Sequence, residues 1–178
     1  MKIKIIDQSE FEKIDSPRRI IAHNYAHKFA AIDLGAKLGC YGISWRSELI
    51  EPIIKLSQNS SEMWIGVDEK LAAINLHDGR IIVALPFTTY IVQILSLDSA
   101  TAILTQEEVL VFNPEGAIRF SEALPDQGTR MSVIGEHLII KMLEGDSFTI
   151  NLMTGHLQQA LSDRTYPIPE SQSAIATP

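Results

Sequence analysis

The chain has 178 residues, a formal net charge of −7 and a hydrophobic fraction of 46%. This length and composition suit one domain with its own apolar core, and they exclude a disordered chain. The acidic balance argues against nucleic acid as the main partner, because binding to a phosphate backbone needs clustered Lys and Arg.

The first 45 residues predict four short strands joined by turns, at 2–7, 18–26, 28–34 and 36–44. Between the first two strands, residues 9–19 predict a short helix. Ser9 can serve as its N-cap, and Glu12, three residues later, would complete a capping box. We expect this helix to bridge the first and second strands of the unit.

Three similar units follow, at 46–88, 89–125 and 126–161. Their strands are short and rich in Ile, Val, Leu and Phe, and they are separated by turns that contain Gly, Asn, Asp and Ser. The strands are predicted at 52–58, 62–67, 70–76 and 80–87, then at 90–98, 101–106, 108–113 and 117–124, and finally at 130–136, 137–143, 147–152 and 156–161. A helix over 47–57 competes with the first of these, but Pro52 weakens it.

The spacing of turn glycines indicates that the units are repeats. Gly79, Gly116 and Gly155 follow one another at intervals of 37 and 39 residues, whereas the first interval, from Gly35, is 44. A period near 40 residues with four strands per unit is typical of propeller blades. The sequence therefore predicts an all-β domain over 1–161, with about four repeats of a four-stranded antiparallel meander in a small or incomplete β-propeller, and a mobile tail over 162–178.

The segment KLAAINLHDGRIIVALPF at 70–87 resembles one blade of a quinoprotein-like or WD-type β-propeller. Both have a β-branched strand, an Asp or Asn, a turn that ends in Gly and a further strand. The tryptophan that quinoprotein-type repeats place after the turn is replaced by Ile82, Val83 and Ala84, and the WD dipeptide and its Gly-His partner are absent. The resemblance implies the architecture and no cofactor. If the ring stays open, we expect it to dimerise or to be capped by the N-terminal helix.

Residue types that often carry chemistry are scattered. His23 and His27 have the i, i+4 spacing of a helical metal site, but their surroundings predict a strand, a turn and a strand, which would separate them by about 13 Å. Cys40 lies in an apolar, Gly-flanked strand that favours a packed free thiol over a nucleophile. No phosphate-binding loop is present. We therefore predict no catalytic residue, no metal and no cofactor.

One pattern does repeat among the units. The turn between the second and third strands is acidic in each of the last three, which predicts a partner-binding rim of six carboxylates: Asp68, Glu69, Glu107, Glu108, Glu144 and Asp146. Equivalent turns of a propeller emerge on one face, where such a rim would steer a basic protein. The alternative is that hairpin turns carry Asp and Glu for solubility alone.

Cys40 is the single cysteine and cannot form an internal disulfide, residues 1–13 hold no apolar stretch of signal-peptide length, and no run is apolar enough to span a membrane. We therefore expect a cytoplasmic, non-enzymatic module that binds a basic protein, in the manner of an immunity or inhibitor protein. Two alternatives stay open: a hydrolase or lyase with a pocket in the propeller centre, and a structural subunit of an oligomer. Four aromatic residues would be interface anchors, Tyr41, Trp45, Trp64 and Tyr90, and by strand alternation Trp64 fits the core between units equally well.

Overall fold

The computed structural model describes residues 1–159 and arranges them in four four-stranded sheets. Sheet one contains β1 (Lys2–Ile6), β2 (Arg19–Ile21), β3 (Lys28–Asp33) and β4 (Cys40–Trp45). Sheet two contains β5 (Ile53–Leu56), β6 (Glu62–Val67), β7 (Lys70–Asn75) and β8 (Ile81–Pro86). Sheet three contains β9 (Ile91–Leu97), β10 (Ala100–Thr105), β11 (Glu108–Phe112) and β12 (Ile118–Ala123). Sheet four contains β13 (Gly128–Ile134), β14 (His137–Met142), β15 (Ser147–Asn151) and β16 (Leu157–Gln159).

Sheets two, three and four are antiparallel meanders in which each strand pairs with its neighbours along the chain. This confirms the predicted all-β repeat. The turn glycines Gly79, Gly116 and Gly155 have φ values of +77°, +85° and +70°, a left-handed conformation that a residue without Cβ adopts readily. The last two residues of the predicted strand at 156–161, and the predicted tail at 162–178, lie outside the described residues.

Sheet one departs from the meander. Its strand order is β1-β3-β4-β2, and β2 pairs with β4 in parallel. The strand predicted at 18–26 is shortened to Arg19–Ile21, because a 3₁₀ turn at Ser16–Arg18 precedes it and a loop follows it. In that loop Tyr25 has a φ of +58°, which an extended strand cannot accommodate.

The predicted N-terminal helix is present as α1 (Gln8–Glu12), but the prediction of its cap was wrong. Asp7 is the N-cap: its Oδ1 accepts a hydrogen bond from the backbone N–H of Glu10 at 2.7 Å, and the Glu10 side chain accepts one from the backbone N–H of Asp7 at 3.3 Å. The capping box therefore begins two residues before Ser9. The competing helix at 47–57 is replaced by β5.

Three apolar clusters join neighbouring sheets. The first cluster joins sheets one and two and includes Trp45 and Ile65. The second joins sheets two and three and includes Trp64 and Phe112, and the third joins sheets three and four and includes Leu104 and Ile140. The rings of Trp64 and Phe112 have centroids 5.1 Å apart. Every residue of β6 and β10 is buried, since these strands have a sheet on either side. Within residues 1–159 no such cluster joins sheet four to sheet one.

The two outer sheets are covered differently. On sheet one, α1 packs Phe11 against Phe29, with ring centroids 5.3 Å apart, and above Gly42, where an added Cβ would lie 2.8 Å from the Phe11 ring. The helix α1 thus covers this side of sheet one. On sheet four, the strand β15 alternates buried Phe148 and Ile150 with half-buried polar residues, and half-buried Ile139 of β14 lies beside Thr149.

No helix within the described residues is long and apolar enough to cross a membrane.

Candidate partner-binding face

Backbone hydrogen bonds place the three predicted acidic turns along one face. The carbonyl of Asp68, in the β6–β7 turn, accepts from the N–H of Ile91, and the neighbouring carbonyl of Tyr90 accepts from the N–H of Gln106 in the β10–β11 turn. The carbonyl of Gln106 in turn accepts from Gly128, and the carbonyl of Gln127 accepts from Leu143 at the β14–β15 turn. Along this face, the hairpin turn of each sheet is therefore followed by the segment that connects it to the next sheet, from sheet two to sheet four.

Asp68 does not contribute to an exposed rim, which corrects the prediction for this residue. It is 1% exposed, and its Oδ2 accepts a hydrogen bond from the backbone N–H of Arg46 at 2.8 Å. The guanidinium of Arg46 binds the carboxylate of Glu69. The reason is positional: Arg46 and His23, which follow strands of sheet one, lie against the carboxylate of Asp68.

Glu69 is half-buried and bound by Arg46, whereas the other four predicted carboxylates stay accessible. Glu107, Glu144 and Asp146 are exposed, and Glu108 is half-buried. Within the part of the chain that the structure describes, none of them lies within 4.0 Å of a Lys, Arg or His nitrogen. We call Glu107, Glu108, Asp126, Glu144 and Asp146 the acidic face.

Asp126 also belongs to the acidic face, although the sequence analysis considered only the turns within each unit and did not predict it. It lies in the segment that connects sheets three and four, and its Oδ2 accepts a hydrogen bond from the backbone N–H of Glu144 at 3.1 Å. A comparison of the connections between units, as well as the turns within them, would have found it.

A groove of about 280 Å³ opens on the acidic face. Glu107 and Asp126 line it together with Leu124, Pro125 and two glutamines. Lys and Arg side chains combine an apolar stem with a charged head. The stem would contact Leu124 and Pro125, and the head would reach the two carboxylates.

Basic side chains border the acidic face at its ends. At the end near sheet one, Lys70 donates to the carbonyl of Ala22 at 2.5 Å, and Arg46 is held by Glu69. At the end near sheet four, Arg130 and Lys141 are exposed cross-strand neighbours. The acidic potential is therefore centred on the turns around Glu107 and the connecting segment around Asp126.

Three other cavities among the described residues are larger than this groove. One, of about 490 Å³, is near the opposite ends of the strands and is lined by Asp98, Arg119 and Glu136 together with polar and apolar residues. A second, of about 480 Å³, lies between the facing strands β5 and β9 and contains Lys55 as its charged residue.

The third cavity, of about 350 Å³, lies beside the end of α1 and is lined by Cys40 with Lys13, Asp15 and Arg18 among others. No described histidine lines any of the three, so they do not bring a histidine base to the thiol.

The predicted aromatic alternatives are resolved. Trp45 and Trp64 are fully buried and Tyr41 is 2% exposed, so all three belong to the core, whereas Tyr90 is 42% exposed beside the β10–β11 turn.

His27 is exposed and is not part of the group of side chains that His23 forms with Asp68 and Glu69. Cys40 is half-buried, and burial raises the pKa of its thiol, with Asp33 adding to the rise and Arg18 opposing it.

The stacked four-stranded meanders define a β-propeller-like protein, as predicted. No protein-family model matches the sequence, and no curated protein matches it significantly. Among solved structures, the chain is similar to the WD40 domain of Pan2 from Neurospora crassa, with a TM-score of 0.51 and 14% identity over 60% of this chain and 36% of that one. It is also similar to Sqt1 from Saccharomyces cerevisiae, with a TM-score of 0.51 and 15% identity over 76% of this chain and 45% of that one.

The chain thus spans less than half the length of either solved structure. At these identities the likeness concerns the fold, and it confirms the resemblance to WD-type blades on which the prediction of architecture partly rested.

Proposed function

We propose that this protein is a non-enzymatic binding module whose acidic face captures a basic segment of another protein. The observation that carries the proposal is the groove between Glu107 and Asp126, where two carboxylates without a described cationic partner flank an apolar surface. A propeller-like scaffold supports it, because rigid strands present the turns at fixed positions.

The narrower form of the proposal is that binding masks a basic domain, as an immunity or inhibitor protein does. The net charge of −7 supports this, since long-range attraction accelerates encounter with a basic partner. The proposal places this encounter in the cytoplasm, where a lone thiol such as that of Cys40 stays reduced.

Electrostatic capture has a distinct salt dependence. The Debye length falls from about 30 Å at 0.01 M salt to about 10 Å at 0.1 M, so attraction by exposed carboxylates weakens steeply as salt is added. The association rate should therefore fall with salt more than the dissociation rate rises.

The experiment uses a short peptide of alternating Lys, Arg and Leu as the probe and measures its association by surface plasmon resonance. The double variant Glu107→Lys, Glu144→Lys reverses the two most exposed turns. It should lower affinity for the peptide at least about tenfold, the size of effect expected when close charge pairs are lost. A peptide with Glu in place of Lys and Arg should not bind.

A matched control reverses two exposed carboxylates on the opposite turns, Asp98→Lys and Glu115→Lys, which changes the net charge by the same amount. Because these residues lie at the other ends of the strands, the control should retain most of the affinity. An equal loss in both double variants would refute a localised site and leave only the overall charge. Circular dichroism verifies that each variant is folded.

A further inference from the structure

A histidine and two carboxylates meet at the seam between sheets one and two. His23 follows β2, and Asp68 and Glu69 form the turn between β6 and β7. The Nε2 atom of His23 lies 3.6 Å from Oε1 of Glu69 and 3.9 Å from Oδ2 of Asp68. One nitrogen or oxygen atom from each of the three residues lies within 4.8 Å of the other two.

The ring of His23 is held in one orientation and one tautomer. Its Nδ1 lies 2.6 Å from the carbonyl oxygen of Ser44, and its backbone N–H donates to Oγ of Ser44 at 2.9 Å. A carbonyl only accepts, so we assign the proton of the neutral ring to Nδ1. The lone pair of Nε2 then faces the two carboxylates. Histidines that bind metals commonly donate their other N–H to a carbonyl in this way.

Two buried atoms in the cluster have no hydrogen-bond partner: Nε2 of His23 and Oδ1 of Asp68. Their side chains are 2% and 1% exposed. A buried acceptor without a partner has lost its hydrogen bonds to water, and a lone pair facing carboxylates adds repulsion. A cation between these atoms would remove both penalties.

The spacing suits a metal ion. Nε2 and the two carboxylate oxygens lie beyond direct hydrogen-bond distance of one another. Two donors on one tetrahedral ion, each at about 2.0–2.2 Å from it, lie about 3.4 Å apart. Small adjustments of Asp68 and Glu69 therefore suffice to surround an ion.

Arg46 holds both carboxylates through the oxygens that lie nearest the imidazole. Its backbone N–H donates to Oδ2 of Asp68, and its guanidinium binds Oε1 of Glu69, which leaves Oδ1 of Asp68 unpartnered. Carboxylates that bind metals are commonly oriented by such outer partners. Lys70 is a second cation at this seam, because its ammonium donates to the carbonyl of Ala22, so the unpartnered buried atoms rather than the net charge favour a bound ion.

We propose that His23, Asp68 and Glu69 bind one divalent transition-metal ion, of which Zn²⁺ is the best match, and that this ion joins sheets one and two. An imidazole ligand disfavours Mg²⁺ and Ca²⁺, which prefer oxygen alone. The side chain of Glu69 is 21% exposed and provides the route of entry. Three protein ligands leave a fourth position for water.

The test titrates the full chain, stripped of metal with a chelator and dialysed, with ZnCl₂ and separately with MgCl₂ in a calorimeter. We expect one Zn²⁺ per chain, much weaker binding of Mg²⁺, and a melting temperature that rises with added Zn²⁺ because the ion binds the folded state. Failure of the wild-type chain to bind Zn²⁺ would overturn the proposal.

Two ligand variants and one control locate the ion. His23→Gln and Glu69→Gln should each lower the affinity for Zn²⁺ at least about tenfold. His27→Gln, which changes an exposed histidine in the same loop, should bind as the wild type does. Wild-type affinity in His23→Gln, or an equal loss in His27→Gln, contradicts the site.

The Glu69→Gln variant covers the case in which His23→Gln fails to fold, since Glu69 is partly exposed and its amide replacement keeps the shape of the side chain. If Glu69→Gln melts at a lower temperature without metal but binds Zn²⁺ as the wild type does, the cluster is a structural contact and the proposal is wrong. The outcome is independent of whether the acidic face binds a basic peptide.

Discussion

Gln93 on β9 joins sheets three and four through a single side chain. Its Nε2 donates to the carbonyl of Met131 at 3.0 Å, and its Oε1 accepts from the N–H of Met131 at 2.8 Å. Met131 is 2% exposed, so Gln93→Ala leaves two buried backbone groups without partners. We expect a loss of about 1–3 kcal/mol in the free energy of unfolding, measured with urea. Gln58→Ala, at an exposed glutamine, should change it by less than about 0.5 kcal/mol.

Cys40 should react slowly with thiol reagents at neutral pH. Burial, followed by the charge of Asp33, raises the pKa of its thiol, so the thiolate fraction is below that of a free cysteine at any pH under that pKa. The rate of reaction with iodoacetamide should therefore be lower than for a cysteine peptide at pH 7 and should increase as the pH rises. Asp33→Asn removes one cause of the rise and should accelerate the reaction. A faster reaction than the peptide at pH 7 would contradict this.

The sequence predicts the turn at Asp68, but it does not predict that the side chain of Asp68 is buried. The local signal, an acidic pair between two strands, is the same at Asp68 and Glu69 as at Glu107 and Glu108. Arg46 and His23, which follow strands of sheet one, contact the first pair and bury Asp68. Contacts between residues more than 20 positions apart leave no pattern in a single sequence.

The helix α1 is the element whose contribution can be tested most directly. Phe11 is 6% exposed and covers the outer side of sheet one at Gly42 and Phe29. Phe11→Ala should lower the free energy of unfolding by about 3 kcal/mol, because it removes apolar contacts and leaves a cavity. Leu49→Ala, where the side chain is 94% exposed, should change it by less than about 0.5 kcal/mol. Similar values for the two variants would indicate that α1 does not stabilise the sheet.

Element prediction succeeded where pairing is local. Sheets two to four are hairpins, so alternation and turn glycines suffice to place their strands. Sheet one is different because β2 pairs in parallel with β4, although β3 lies between these two strands in the sequence. The cap of α1 was misplaced because Asp7 with Glu10 and Ser9 with Glu12 offer the same capping pattern. Asp7 caps the helix in the structure because β1 ends at Ile6, immediately before it.

For the whole molecule, the repeat period predicted a propeller-like arrangement of four units, but not whether the ring closes. Closure depends on whether the outer sides of sheets one and four are apolar enough to meet. In the structure α1 covers the first, and half-buried Ser147 and Thr149 lie on the second. These properties depend on the tertiary neighbours of each strand, which the repeat does not encode.

The packing of the sheets predicts a gradient of stability that hydrogen exchange can measure. The strands β6 and β10 are buried on both sides, whereas sheet four packs on sheet three alone among the described residues. Amides in β6 and β10 should exchange most slowly, and those in β13 to β15 faster, since regions with fewer buried contacts open locally. Gln93→Ala should accelerate exchange in β13 to β15 and leave β3 and β4 unchanged. Uniform exchange in all four sheets would instead show that they open as one cooperative unit.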